Sequence, residues 1–306
     1  MSMRKLTRCP YTLRPIEEIA ESSKEHIIPD ALGGPDSYSV GAAAAVNNTL
    51  GHTVDAAFLA NPLIQMQRSK VGIKSRSGVA DWKMSGETID GGRPVDIIIP
   101  HEGDVDVRHK KPVDKNADSY TIIAPPEQSD KLLNEIKKNL KRKGKQIAGI
   151  QSTQIESQEL HARLDINFTE IQSGMMKIAY LACCDYLGDE FLDDPLNPEW
   201  QKAIRAQTVE ASEDIEIHGR ALSENDAANL IFPKLAEHEH CIVILKLRLP
   251  YPIVGVRLFG DPFLSAIAVA SESDNFGLCD GEGLLLICDS KTGNICKEPW
   301  INHRIN

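Results

Sequence analysis

Five residues near the N-terminus, Glu25-His26-Ile27-Ile28-Pro29, constrain this chain more than any other stretch. They form a short apolar element that Pro29 closes, and a Gly33-Gly34-Pro35-Asp36-Ser37 turn comes next. From Gly41 the sequence GAAAAVNNTLGHTVDAAFLA is rich in alanine, which favours a helix, while Gly51 and the Asn and Thr residues weaken it. One helix is expected from about Ala42 to about Ala60, ended before Pro62. Residues 9 to 60 therefore predict strand, loop, strand, helix, a unit in which Glu25-His26 can face helical Asn47.

Hydrolysis of a phosphodiester needs a deprotonated water in line with the leaving oxygen. It also needs a cation beside the charge that builds on phosphorus and on that oxygen. His26 suits the base, because imidazole changes charge near neutral pH and can take a proton from water. Glu25 offers a hard oxygen ligand and Asn47 a second one from the helix across the hairpin. An oxygen-only pair favours Mg2+ or Mn2+ over zinc. Adjacent side chains of an extended strand point to opposite faces, so Glu25 and His26 serve one site only if the strand bends or ends there. Pro29 and the glycine turn are the reason to expect that it does.

The string EHIIPDALGG, with VNNTLGHTVDAAFLA after a short gap, resembles the HNH endonucleases that carry E-H-I-I-P, G-G, C-x-x-C-N and G-x-x-I-D in that order. The resemblance spans roughly residues 9 to 60 and implies an N-terminal ββα-metal module. It implies His26 as general base, Glu25 and Asn47 as ligands of Mg2+ or Mn2+, and products with 5′-phosphate and 3′-hydroxyl ends. Gly33, Gly34 and Asn48 support that site. Asp55 falls near the helical face of Asn47 and reads as supporting or structural, whereas His52 is turned about 140° away and reads as solvated. The four structural zinc cysteines of the family fall at Cys9, Thr12, Ala43 and Val46, of which only the first is a cysteine. A tetrahedral zinc needs four ligands, so structural zinc is not expected. Packing of Ala43, Ala44 and Val46 against Tyr11 and Leu13 is the expected substitute.

Beyond this unit, residues 70 to 120 are rich in Gly, Asp and Ser with short β-like runs, which predicts a small antiparallel sheet. The stretch from Asn61 to Ser77 is the best linker. A helix is expected from about Ser129, with Leu132, Leu133, Ile136 and Leu140 on one stripe. The residues from Thr169 to Phe191 carry Ile171, Met175, Ile178 and Ala182 at helical spacing and read as the main core helix. Leu160 to Ile166 alternates like a strand. The runs 242–249, 253–259, 264–269 and 284–288 predict an antiparallel meander packed on the long helix, with Lys246 and Arg248 on its polar face. The fold class is thus α+β, with an HNH-like domain over 1–62 and a larger mixed domain with an antiparallel sheet over 63–306.

Composition bounds what such a chain can do. With 306 residues, 42% apolar and 25% charged, it can bury a real core. A net charge of −10 argues against a protein that coats nucleic acid nonspecifically, since phosphate affinity comes from clustered Lys and Arg. One dense basic run exists, Lys137, Lys138, Lys141, Arg142, Lys143 and Lys145, able to grip a DNA backbone or to be the solvated face of a helix. Seven cysteines without a C-x-x-C spacing read as reduced core thiols. His238 and His240 before Cys241 read as structural, and His101 and His109 as residues of exposed turns. No stretch approaches the roughly 18 apolar residues of a membrane helix, and the first residues lack a signal peptide's apolar run, so a cytoplasmic protein is expected. The expected function is metal-dependent cleavage of double-stranded DNA in a defence or mobile-element setting, with homo-oligomerisation open. The alternative is a degenerate HNH fold that binds nucleic acid or protein without catalysis.

Overall fold

The computed structural model describes residues 5–75, 78–79, 81–89, 92–116, 118–153, 159–206, 230–273 and 276–300. In chain order the elements begin with β1 (Ser22–His26), β2 (Ser39–Ala43), α1 (Ala44–Leu50), a π-helical turn (Gly51–Asp55), α2 (Ala56–Ala60), α3 (Pro62–Val71), β3 (Lys74–Ser75) and β4 (Gly78–Val79). Next come β5 (Trp82–Thr88), β6 (Pro94–Ile99), β7 (Asp106–His109), β8 (Val113–Lys115), β9 (Tyr120–Ile122), α4 (Pro126–Arg142) and β10 (Leu160–Ala162). The chain then forms α5 (Phe168–Leu187), α6 (Asp189–Leu192), α7 (Asn197–Arg205), β11 (Glu239–Lys246), β12 (Pro252–Arg257), β13 (Ser265–Val269), β14 (Gly283–Asp289) and β15 (Asn294–Pro299). All strand pairings among the described residues are antiparallel, and the class is α+β.

Two compact units divide this chain, Met1–Ala80 with Ile166–Asn306, and Asp81–Asp165. The boundary expected after residue 62 does not separate them. In the first unit Ile27, Ile28 and Leu32 share one core with Ile171 and Met175 of α5 and Leu286 of β14. The physical reason is size: a hairpin and a helix without a zinc ion or disulfide cannot bury enough apolar surface alone, and borrow the core of a neighbour.

The long helix α5 is that neighbour. Asn167 caps its N-terminus by accepting from the amides of Thr169 and Glu170. Its apolar residues face both ways, against the hairpin unit and against the sheet β13-β12-β11-β14-β15. Tyr180 stacks on Tyr11 with ring centroids 6.3 Å apart and meets Phe191 at 5.6 Å. Trp200 of α7 is fully buried, and its indole N–H donates to the carbonyl of Ala270 at 3.0 Å. Burying side chains of this size contributes about 1.5–3 kcal/mol each, which makes this cluster the centre of the unit.

Several expectations are corrected here. The stretch 61–75 is no linker. Asn61 caps α3, whose Ile64 and Val71 are buried, and Arg76 and Ser77 lie outside the described residues. The helix expected from Ala42 starts at Ala44, because β2 runs through Ala43, and it reaches Ala60 through the π-helical turn. Lys246 is not on a polar face. Both faces of β11 are covered, the second by Ile231, Phe232 and Trp300, and the Lys246 ammonium donates to the carbonyl of Pro250 at 2.9 Å. His109 lies in β7 rather than in a turn, with a buried Nδ1.

The second unit holds the sheet β10-β5-β6-β7, the hairpin β8-β9 and α4. Ile136 of α4 is buried, with Leu132, Leu133 and Leu140 half-buried, as the stripe requires.

Candidate functional site

β1 pairs with β2 without interruption, Glu25 opposite Val40 and His26 opposite Ser39. The strand therefore neither bends nor ends before His26, and its side chains alternate: Glu25 is buried and His26 half-buried. The two residues expected to share one metal-dependent site look to opposite sides of the hairpin.

On the inner side, Glu25 Oε1 lies 2.5 Å from Lys177 Nζ of α5, and that ammonium lies 2.6 Å from Asp55 Oδ2 at the end of the π-helical turn. The Tyr11 hydroxyl donates to Glu25 Oε1 at 3.0 Å. Lys177 and Glu25 are 3% and 4% exposed, so the pair is shielded from water. Burial pushes the Glu25 carboxyl up, while the Lys177 ammonium pulls the other way. Burial and the charge of Glu25 push the Tyr11 phenol well above its ordinary value, so it stays a donor.

The amide nitrogen of Asn47 acts as a clamp. This Nδ2 donates to Ser23 Oγ at 2.9 Å and to the carbonyl of Lys24 at 3.1 Å, fastening α1 to β1. A divalent ion at Glu25 would have to displace a buried ammonium, and two cations in that space repel strongly. Among the described residues no group of three or more His, Cys, Asp or Glu is arranged to hold a metal ion. The residues present do not fit the ion that the sequence motif implies.

On the outer side, His26 Nε2 lies 2.7 Å from Asp36 Oδ1, a residue of the loop before β2. Sequence reasoning does not single out Asp36, although it stands in the Gly33-Gly34-Pro35-Asp36-Ser37 turn. It misses Lys177 too, although this is the one charged residue between Glu170 and Asp185 in an otherwise apolar helix. Asn48 and His52 are exposed, the latter as expected, and Asp55 turns out to be a partner of Lys177.

The glycine pair is fixed by close approach. Gly33 has φ +83°, and a Cβ on it would meet the Ser290 carbonyl oxygen at 2.1 Å; on Gly34 it would meet the Ile28 carbonyl oxygen at 1.9 Å. Fully buried His240 locks the same loop: its Nε2 donates to the Leu32 carbonyl at 2.8 Å and its Nδ1 accepts from the Phe259 amide at 3.0 Å. Burial holds this imidazole down to about 4. His240 is structural.

At two of the four positions where the resemblance puts zinc cysteines, the Cys9 thiol accepts from the Ala43 amide at 3.3 Å, and Thr12 Oγ1 is buried without a partner. Ala43 and Val46 pack on the core and Tyr11 lies within it, but Leu13 is 40% exposed with φ 60° and takes no part in the substitution. The seven cysteines form no disulfide; five are buried, and Cys279 and Cys296 are exposed. In the second unit Lys137, Lys138, Lys141, Arg142, Lys143 and Lys145 are all exposed, in the C-terminal part of α4 and the residues after it. No helix among the described residues is long and apolar enough to cross a membrane.

No protein-family model matches the chain, and no curated protein or solved structure matches it either.

Proposed function

We propose that residues 9–60 form an HNH-type unit in which Glu25, one of the two expected metal ligands, has been taken into a structural ion pair with Lys177, and that the protein binds DNA without cutting it. The observation that carries this reading is the 2.5 Å contact between Lys177 Nζ and Glu25 Oε1, inside the core and away from His26. A nuclease of this type needs its cation beside the scissile phosphate. Here the carboxylate that would hold it is engaged by the chain itself. DNA rather than protein is favoured as the partner by the six exposed cations of 137–145 in a chain of net charge −10. Binding through such a patch releases counterions and weakens steeply with salt.

One observation favours the metal-dependent endonuclease as a second reading. The imidazole of His26 is oriented by Asp36 at 2.7 Å, the arrangement a general base requires. In that reading Mg2+ or Mn2+ would be held by ligands other than the inward face of Glu25.

Fluorescence anisotropy with a labelled duplex, paired with gel analysis of the same DNA in Mg2+ or Mn2+, tests the proposal. Salt-sensitive binding with intact DNA supports it. Divalent-dependent fragments that vanish in His26→Ala support the nuclease instead.

A further inference from the structure

We infer that Lys177 stands in for a divalent cation, so that Glu25, Asp55 and Tyr11 form an oxygen cage filled by the chain's own ammonium. Four separate segments meet here: Lys177 from the middle of α5 lies against both Glu25 from β1 and Asp55 from the π-helical turn, and Tyr11 from the N-terminal loop bonds to Glu25. The nitrogen lies 2.5 and 2.6 Å from one oxygen of each carboxylate. Two carboxylates with a nearby phenol are the hard oxygen donors that suit Mg2+ or Mn2+. Their charge of −2 would be neutralised by a divalent ion, whereas the ammonium leaves one negative charge unmatched. Burial of Glu25 makes that mismatch costly, and the Tyr11 hydroxyl offsets part of it by donating to Glu25 Oε1. A π-helical turn adds a residue to the helical repeat and re-aims the side chains beyond it; here it ends at Asp55, the second carboxylate of the cage.

A tethered ammonium has an advantage over a free ion. It is delivered by folding and needs no ion concentration, so the hairpin unit is held together without metal. The ion pair also links β1 and the helical segment after β2 to α5. This inference rests on the converted-site reading, and metal binding is measured apart from DNA binding so that either can fail alone.

The test is Mn2+ titration of the 306-residue chain, monitored by electron paramagnetic resonance and calorimetry. Wild type is expected to show no Mn2+ site that Glu25→Gln removes. Lys177→Met, checked for native circular dichroism, is expected to gain one site with a dissociation constant on the order of 0.1–1 mM or tighter, the range of weakly held oxygen-ligated ions. That site should be at least tenfold stronger than anything in wild type and should disappear on adding Glu25→Gln or Asp55→Asn. Lys177→Gln serves as a second, polar variant, and either variant that folds only when Mn2+ is present also supports the inference. It is overturned if wild type binds Mn2+ through Glu25, or if the folded variants bind none. It is likewise overturned if neither variant folds even with Mn2+, because a divalent ion then cannot replace the ammonium.

Discussion

His240 on β11 donates from Nε2 to the carbonyl oxygen of Leu32 at 2.8 Å, joining the centre of the C-terminal sheet to the loop after Pro29. The bond spans 208 positions of sequence and keeps the ring neutral, since Nδ1 must accept from the Phe259 amide. The hairpin unit is thereby built into the larger core.

This neutral ring makes stability depend on pH. Burial holds His240 down to about 4, below its ordinary 6.5, so the unfolded chain takes up a proton first as pH falls. The neutral ring's contribution is fully present above about 6.5 and is lost between there and 4, up to about 3 kcal/mol. Urea unfolding from pH 7 to pH 4 should show wild type losing more stability than His240→Gln by roughly that amount. Equal losses would contradict the assignment.

The buried ion pair should behave as a coupled unit. Lys177→Ala leaves the Glu25 carboxylate without its cation and should cost about 3–5 kcal/mol when measured without divalent ions. Glu25→Gln alone should also destabilise. The double variant Glu25→Gln/Lys177→Met should cost clearly less than the two single changes added together, since each removes what the other leaves stranded. Additive losses in chemical denaturation would argue that the two side chains do not depend on each other.

The glycine turn should tolerate nothing larger. Gly33→Ala forces a Cβ to within 2.1 Å of a backbone oxygen at a positive φ, and should destabilise by about 2–4 kcal/mol. Gly78→Ala makes a clean comparison, because φ is +95° there but nothing lies within 4 Å; its cost should be about 1 kcal/mol. Thermal melts of the two variants side by side check this.

Much of the framework is readable in the sequence because it is periodic. Ile171, Met175, Ile178 and Ala182 mark α5 through their 3.6-residue spacing, and the stripe of Leu132, Leu133, Ile136 and Leu140 marks α4 in the same way. The β runs near the C-terminus fall within a few residues of β11, β12, β13 and β14. Long-range partnership is the information that periodicity does not carry. α3 reads as a linker because its Gln, Ser, Arg and Lys residues dilute the apolar signal, and only burial of Ile64 and Val71 against the core reveals it. The candidate site suffers likewise: Glu25 and Asn47 stand out as residues, but their partners Lys177, Asp55 and Ser23 are fixed by tertiary contacts. The motif alone does not say that Glu25 looks inward while His26 looks out.

The basic face of α4 should act through charge alone. Lys141→Gln with Lys145→Gln should lower the slope of log affinity against log salt for duplex DNA by about 2, since each phosphate contact contributes close to one. The melting temperature should not move, because both side chains are exposed. An unchanged slope would place the DNA contact elsewhere.

We propose that Lys177 puts an ammonium at Glu25, where cleavage by an HNH-type unit would need a metal. Incubating wild type and His26→Ala with supercoiled plasmid in Mg2+, in Mn2+ and in chelator tests it most directly. Both proteins should bind the plasmid and leave it supercoiled under every condition. Nicked or linear DNA that requires both a divalent ion and His26 would contradict it.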